Sequence, residues 1–475
     1  MTRNPVPAPS PSSGAVPASG RRDAAPAADG IALRRASWAL LAAVLDRRQP
    51  LSGLDAALPP SVAALDRAGQ ATALRMARTT LRHLERAERI VAPLLQRKPP
   101  PQVMHALLTA TVELLHERAS AHGVVHSTVA GLRGAARTRS FAGLANAVLR
   151  RIAVLPVAQW EALPPQRLPG WMRARLVEAD GAGVVRAMEA AHLCPPPRDL
   201  TLRQGADAEH WASALGARRL PTGSLRLDAR RAVSELPGFG DGAWWVQDAA
   251  AALPARLLGA ALDDAGPAGA GERVLDICAA PGGKTLQLAA MGAQVTALDI
   301  SAARLERVTE NLQRTRLQAR IVHADARYWR PEAPFSQILL DAPCTASGTI
   351  RRHPEVPFLR RAADLKALVA LQAELLDRVL DPAQGLLAPG GRVVYCVCSL
   401  LAAEGEDQIG AALKRHGNVV PVPEAAAAVP GIDADWRTPL GGLRTRPDHW
   451  AADGSLDGFY MIALQHQGPD TTGQS

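Results

Sequence analysis

From Val246 onward the chain alternates short apolar runs with amphipathic stretches, and no other feature of the sequence restricts the fold as much. Residues 273–277, 294–300, 319–323, 337–340 and 391–396 read as strands. Helical stretches are expected between the first four, and a longer one over about 365–380 before the last. Alternating strands and helices give a parallel, Rossmann-like α/β sheet with helices on both faces. Such a sheet binds its ligands in the crevice at the carboxyl ends of its strands. Residues capable of chemistry should therefore gather at those ends.

The preceding part is built differently, so the protein is multidomain. From Ile31 to about residue 157 apolar positions recur at three- and four-residue spacing, with Pro59-Pro60 and Pro99-Pro100-Pro101 as breakers. That pattern predicts an all-α domain over 31–165. Residues 158–190 read as a helical linker with Trp160 and Leu168-Pro-Gly-Trp-Met172 as packing anchors. A small α/β segment follows from Pro195 to about Trp245, giving an intermediate region over 166–245 before the catalytic domain over 246–467. Residues 1–30, rich in Pro, Ala, Ser and Gly, offer almost nothing to bury and read as a disordered tail; 468–475 form a second tail.

The formal net charge of +9 favours a polyanionic partner, and its position sharpens the point. Residues 31–165 hold 18 Lys/Arg against 8 Asp/Glu, which accounts for essentially all the excess. Arg133, Arg137 and Arg139 form the densest basic cluster of that segment. The five cysteines, Cys194, Cys278, Cys344, Cys396 and Cys398, are too few and too scattered for a disulfide framework. None lies at zinc-binding spacing, so no metal is expected. No apolar run is long enough to cross a bilayer. Arg21-Arg22 is followed by Asp23-Ala-Ala-Pro where an export signal needs an apolar core. The expected protein is cytoplasmic and monomeric.

Val274-Leu-Asp-Ile-Cys-Ala-Ala-Pro-Gly-Gly-Lys-Thr285 reads as a strand, a glycine turn and a helix start. Gly282 and Gly283 allow close approach of a ligand to the backbone, and the helix N-terminus supplies free N–H groups. A nucleotide-triphosphate P-loop would need a glycine where Cys278 stands, so that reading fails. Asp299 ends the second strand, about where a dinucleotide fold places its ribose-binding acid. Its alternative role is capping the helix that begins after Ser301. Asp325 ends the third strand and is placed to receive an adenine amino group. Together the three strand ends point to an adenosyl cofactor.

The fourth strand ends in Asp341-Ala-Pro-Cys344 and the fifth in Tyr395-Cys-Val-Cys-Ser399. Two cysteines beside a methyl donor suit one chemical problem. Carbon 5 of cytosine is too poor a nucleophile to take a methyl group directly, and a thiolate adding at carbon 6 makes it enamine-like. A base and a second helper group must then remove the carbon-5 proton and release the thiol. Cys396 and Cys398 are both candidate nucleophiles, since strand alternation puts them on one face. Cys398 is preferred because it lies nearer the strand end.

With these residues in view, the chain resembles the class I S-adenosylmethionine-dependent RsmB/NOP (NOL1/NOP2/sun) family, in particular the bacterial cytosine-C5 methyltransferases of 16S ribosomal RNA. The resemblance runs from about residue 31 to 466 and includes Val246-Gln-Asp248, Arg351-Arg-His-Pro-Glu355 and Gly458-Phe-Tyr460. Phe141-Ala-Gly-Leu-Ala-Asn-Ala-Val-Leu-Arg-Arg151 resembles the closing helix of NusB-like RNA-binding domains. The resemblance implies that Cys278, Ala279, Ala280, Pro281, Gly282, Gly283, Lys284, Asp299, Asp325 and Asp341 line the S-adenosylmethionine site. It makes Cys398 the nucleophile and Cys344 the group that assists release, with small-subunit ribosomal RNA as the substrate. Asp341 would also contact the cytosine, and Lys284 would orient the motif. Two departures stand out: Cys396-Val397 replaces a small residue and Thr, and Ala402-Ala-Glu404-Gly405-Glu406 replaces Pro-Glu-Glu-Asn. A non-catalytic RNA-binding factor and a DNA cytosine methyltransferase are the competing readings. The intact motifs argue against the first, and two cysteines behind a basic helical domain argue against the second.

Overall fold

In the computed structural model, which describes residues 27–52, 58–227, 232–264 and 272–467, the basic N-terminal part is helical. Helices Ala27–Leu45, Arg67–Arg82, Leu84–Val91, Pro101–Leu115, Ala121–Arg133 and Ala142–Ile152 enclose two apolar clusters, one around Leu107, Leu132 and Leu149 and one around Leu40, Leu41 and Leu81. Every side chain from Val103 to Leu115 is buried, so that helix is the axis around which the others pack. Pro101 suits its first position, where a missing N–H costs nothing. The first helix begins at Ala27, so residues 27–30 belong to it and not to the expected tail. The rest of that tail and residues 468–475 lie outside the described residues.

The linker is anchored as its apolar residues suggest. Trp160 is buried in the helical domain. Leu168 and Met172 open the helix Gly170–Ala191, which packs on Ile350, Leu400 and Leu401 of the catalytic domain. A small antiparallel sheet follows, with strands β1 (Arg198–Leu202), β2 (Ala217–Arg219), β3 (Leu225–Leu227) and β4 (Trp244–Val246) in the order β2-β3-β1-β4. Buried Arg226 meets Asp199 through two 2.7 Å hydrogen bonds, and Asp199 also accepts the Ala249 N–H at 3.1 Å. That pair ties the small sheet to the catalytic domain.

The large sheet contains β5 (Arg273–Ile277), β6 (Gln294–Asp299), β7 (Arg320–His323), β8 (Phe335–Asp341), β9 (Leu387–Val397), β10 (Val419–Pro421), β11 (Leu443–Thr445) and β12 (Phe459–His466). Its order is β7-β6-β5-β8-β9-β12-β10, with β11 pairing β12. Strands β5 to β9 are parallel, and β12 runs antiparallel to β9. Helices follow β5 and β6, but the one expected between β7 and β8 is not formed. Pro331 and Pro334 remove two donors from that short connection. Trp329 packs there against Phe335 instead, 6.2 Å between ring centres. The order reverses between β5 and β8, which opens a crevice at their carboxyl ends. Among the described residues no helix is long and apolar enough to cross a membrane, and no cluster of His, Cys, Asp and Glu has the geometry to hold a metal.

Candidate active site

The crevice is floored by the turn after β5. Cys278 has φ +62° and Gly282 φ +101°, and a Cβ on Gly282 would stand 3.1 Å from the Val308 side chain. Only glycine takes that conformation there without displacing the helix Ala302–Thr315, which carries Val308. Gly283 starts the helix Gly283–Ala290, whose first N–H groups face the turn. Lys284 Nζ lies 2.7 Å from Asp341 Oδ2, joining the end of β8 to this helix. Burial opposes the Lys284 charge, but Asp341 outweighs it and holds the ammonium above its ordinary pKa. Below, Thr285 Oγ1 donates to Asp276 Oδ2 at 2.5 Å, while Asp276 Oδ1 is buried without a partner. Burial pushes the Asp276 carboxyl up to about 7.

Asp299 is almost fully buried at the end of β6. It accepts the Ala280 N–H at 3.1 Å and the Ser301 N–H at 2.9 Å, so it braces both the cofactor turn and the start of the next helix. The cap of that helix is Ser301 itself, whose hydroxyl faces the Arg304 N–H at 3.4 Å, so Asp299 supports the cap rather than forming it. Asp325 differs: Arg327 donates to both of its oxygens, at 2.6–3.1 Å, and holds its carboxyl below the usual range. Any contact with an adenine amino group there must share the carboxylate with Arg327. Nothing in the sequence pattern singled out that arginine.

The loops after β8 and β9 bring Cys344 and Cys398 together, Sγ to Sγ at 3.4 Å. Cys396 Sγ instead approaches Asp341 Oδ1 at 3.4 Å. Because β9 ends at Val397, Cys398 lies just beyond the pleat and its thiol meets a different partner. Cys396 is fully buried, Cys344 nearly so, and Cys398 is the partly open thiol of the three. A hydrogen bond with Cys398, burial and the nearby Glu404 charge push the Cys344 thiol well above its ordinary value. Burial and Asp341 do the same to Cys396, and burial to Cys278.

The other family-like segments surround this pair. Gly458 N donates to Gly348 O at 2.8 Å, where the two backbones cross. Arg352 bridges Asp457, at 2.5 Å, and Asp248, all largely buried. Glu404, whose loop departs from the family pattern, is buried among Thr345, Ser399 and Gln372.

Ribosomal RNA small subunit methyltransferase B of Xanthomonas campestris is 37% identical over 463 residues, 92% of this chain and 98% of that protein. The chain belongs to this family. The corresponding protein of Cronobacter sakazakii is 33% identical over 454 residues, 91% of this chain and 98% of its own length. The family model "16S rRNA methyltransferase RsmB/F" matches residues 267–465, and the NusB family model matches 33–154. The solved structure of PH0851, 21% identical, shares the fold with a TM-score of 0.66, over 93% of this chain and 99% of that one.

Membership makes the chain an S-adenosylmethionine-dependent methyltransferase. The residues fit that cofactor. Asp276 Oδ1 is an unmatched buried acceptor beneath the glycine turn, Asp299 and Asp341 end β6 and β8, and Asp325 stands two residues beyond β7. Replacing Asp299 with alanine should weaken S-adenosylmethionine binding by about 1.5–3 kcal/mol, the loss typical of hydrogen bonds to a charged acceptor. Titration calorimetry on the folded variant reads this directly, and unchanged affinity would place the ribose elsewhere.

Proposed function

We propose that this enzyme methylates carbon 5 of a cytosine in 16S ribosomal RNA through a covalent bond between Cys398 and carbon 6. The observation that carries the reading is the pair of thiols 3.4 Å apart at the ends of neighbouring strands, beside the cofactor turn. When bound, S-adenosylmethionine supplies an electrophilic methyl group on a sulfonium sulfur.

The protein's part is to make the base a nucleophile and then let it go. The Cys398 thiolate adds to carbon 6, the ring's electron pair moves toward carbon 5, and carbon 5 takes the methyl group. The carbon-5 proton is then lost to a base, the double bond reforms and the Cys398 sulfur leaves. Cys344, the buried member of the pair, is assigned as the donor and stands 3.4 Å from the Cys398 sulfur, within reach of it as it departs. Asp341 faces the same space, with Lys284 fixing one of its oxygens and leaving the carboxylate only half-buried. Transfer of label from tritiated S-adenosylmethionine into 16S ribosomal RNA, followed by bisulfite sequencing, tests both the reaction and its target. Label in RNA without a protected cytosine would rule out carbon-5 methylation.

RNA binding is assigned to the NusB-like helices. Arg133, Arg137 and Arg139 are all exposed at the end of the helix Ala121–Arg133 and the turn after it. Replacing the three with alanine should lower the slope of log affinity against log salt by about 2, since each phosphate neutralised on single-stranded RNA contributes about 0.7. Cofactor affinity should not change. A slope equal to that of the wild type would remove this cluster from the RNA path.

A further inference from the structure

The thiol pair depends on two loops that regular structure does not hold in register. Pairing of β8 with β9 ends at Asp341 opposite Cys396, short of both Cys344 and Cys398. Beyond it two backbone bonds cross, Ala342 N–H to Cys396 O at 2.9 Å and Gly348 N–H to Cys398 O at 3.0 Å, and Ser347 Oγ accepts the Leu400 N–H at 2.9 Å. Glu404 lies where they meet. Its turn, Ala402–Glu404, follows Ser399 closely, and Tyr395 Oη donates to the Glu404 carbonyl at 2.7 Å, which fixes the backbone to β9.

The Glu404 side chain is completely buried and accepts four hydrogen bonds. Oε1 takes the Thr345 N–H at 2.8 Å and Gln372 Nε2 at 3.1 Å. Oε2 takes the hydroxyls of Thr345 and Ser399, each at 2.5 Å. Thr345 directly follows Cys344, and Ser399 directly follows Cys398. One carboxylate therefore holds the neighbour of each thiol. Gln372 adds Pro343 O at 2.8 Å, fastening the residue before Cys344 to the same centre. A buried carboxylate is costly unless donors surround it, and here the donors are the loops themselves.

We propose that Glu404 is a positioning residue whose carboxylate clamps Thr345 to Ser399 and thereby sets the separation of the Cys344 and Cys398 sulfurs. The consequence for catalysis rests on the roles proposed above for those cysteines; the clamp itself does not. Loss of the carboxylate leaves four donors facing a void and the loops joined only through Ser347 and Gly348, farther along the chain from Cys344 than Thr345 is, so the two sulfurs can shift apart. Displacement of reacting groups by about 1 Å commonly costs on the order of 10²-fold in rate.

The test compares the full-length wild type with Glu404→Ala, Glu404→Gln and Ser399→Ala, with melting temperature and S-adenosylmethionine affinity as folding controls. Diamide provides a readout that does not need catalysis. It takes two electrons and two protons from the thiols as the Cys344–Cys398 disulfide forms, and peptide mapping identifies the bond. Closure in Glu404→Ala should be slower on the order of tenfold, and kcat lower on the order of 10²-fold, with KM for RNA and cofactor affinity little changed. Glutamine keeps the shape, and the two hydroxyls turn to accept from its amide, so Glu404→Gln should restore fast closure and most of the lost rate. If Glu404→Ala does not fold, Ser399→Ala decides: it removes the Glu404 contact on the Cys398 side, together with the hydroxyl's contacts to Ser347 Oγ at 3.1 Å and the Leu401 N–H at 3.1 Å, and should also slow closure. Wild-type closure and kcat in folded Glu404→Ala, or wild-type closure in Ser399→Ala, overturns the proposal. Slowed closure in a protein that transfers no methyl to RNA would uphold the clamp and refute the reaction assigned to it.

Discussion

Replacing Cys344 with alanine should trap the enzyme on its RNA as an adduct that survives denaturing gel electrophoresis. The Cys398 thiolate can still attack, and carbon 5 can still be methylated, but the group that serves release is gone. Cys398→Ala should form no adduct and lose about 10⁴-fold or more in turnover, as expected when a nucleophile is removed. Cys396→Ala should keep substantial activity, because its thiol is fully buried and approaches Asp341 rather than the Cys344–Cys398 pair. The three variants distinguish a missing nucleophile from a missing release group, which a rate alone does not. Adducts in Cys398→Ala and none in Cys344→Ala would exchange the two roles. An adduct carried by Cys396 would show that the substrate enters from the Asp341 side.

What the sequence disclosed about this site follows from where its information is local. The turn from Cys278 to Lys284 is dictated by glycines at adjacent positions, one with a backbone angle that other residues resist, and it is legible in a single line of sequence. Asp299, Asp325 and Asp341 are legible because apolar strands announce where they end. Boundaries between the helical domain, the small sheet and the catalytic sheet follow from a change of period. The helix expected between β7 and β8 failed because alternation was extended across two prolines that forbid it. Arg327 escaped notice since its pairing with Asp325 is a side-chain choice made in space. Glu404 was harder still. Its importance lies in four hydrogen bonds from three residues on three segments, and comparison of its neighbours with the family pattern pointed away from it. Long-range convergence of polar groups has no periodic trace in a sequence.

A methyl group added to Gly348 should be among the most damaging small changes this protein admits. Its Cβ would stand 1.8 Å from the Gly458 carbonyl oxygen and 2.5 Å from the carbonyl carbon, and both belong to backbone. No rotamer relieves that contact, so the loop after β8 must lift from the segment that leads into β12. Lifting it breaks the bonds from Gly458 N–H to Gly348 O and from Gly348 N–H to Cys398 O. Overpacking of this kind costs about 1–3 kcal/mol before the broken bonds are counted. Two buried bonds add about 1 kcal/mol each. Gly348→Ala should therefore lose about 3–5 kcal/mol, read as a lower urea midpoint at unchanged slope. Activity should fall further than stability requires, since the displaced backbone carries Cys344. Gly458→Ala meets the end of the Leu400 side chain at 2.4 Å, which can turn aside, and the Gly348 Cα at 2.9 Å, a milder backbone clash than the 1.8 Å contact at 348, so its loss should be smaller but not negligible. Gly410, in the helix Glu406–Arg415 with open space around its missing Cβ, gives the control. There alanine should stabilise by about 0.5–1 kcal/mol through helix propensity. Equal effects at 348 and 458 would mean that the two loops yield freely, and the close crossing would not then be what holds Cys344 against Cys398.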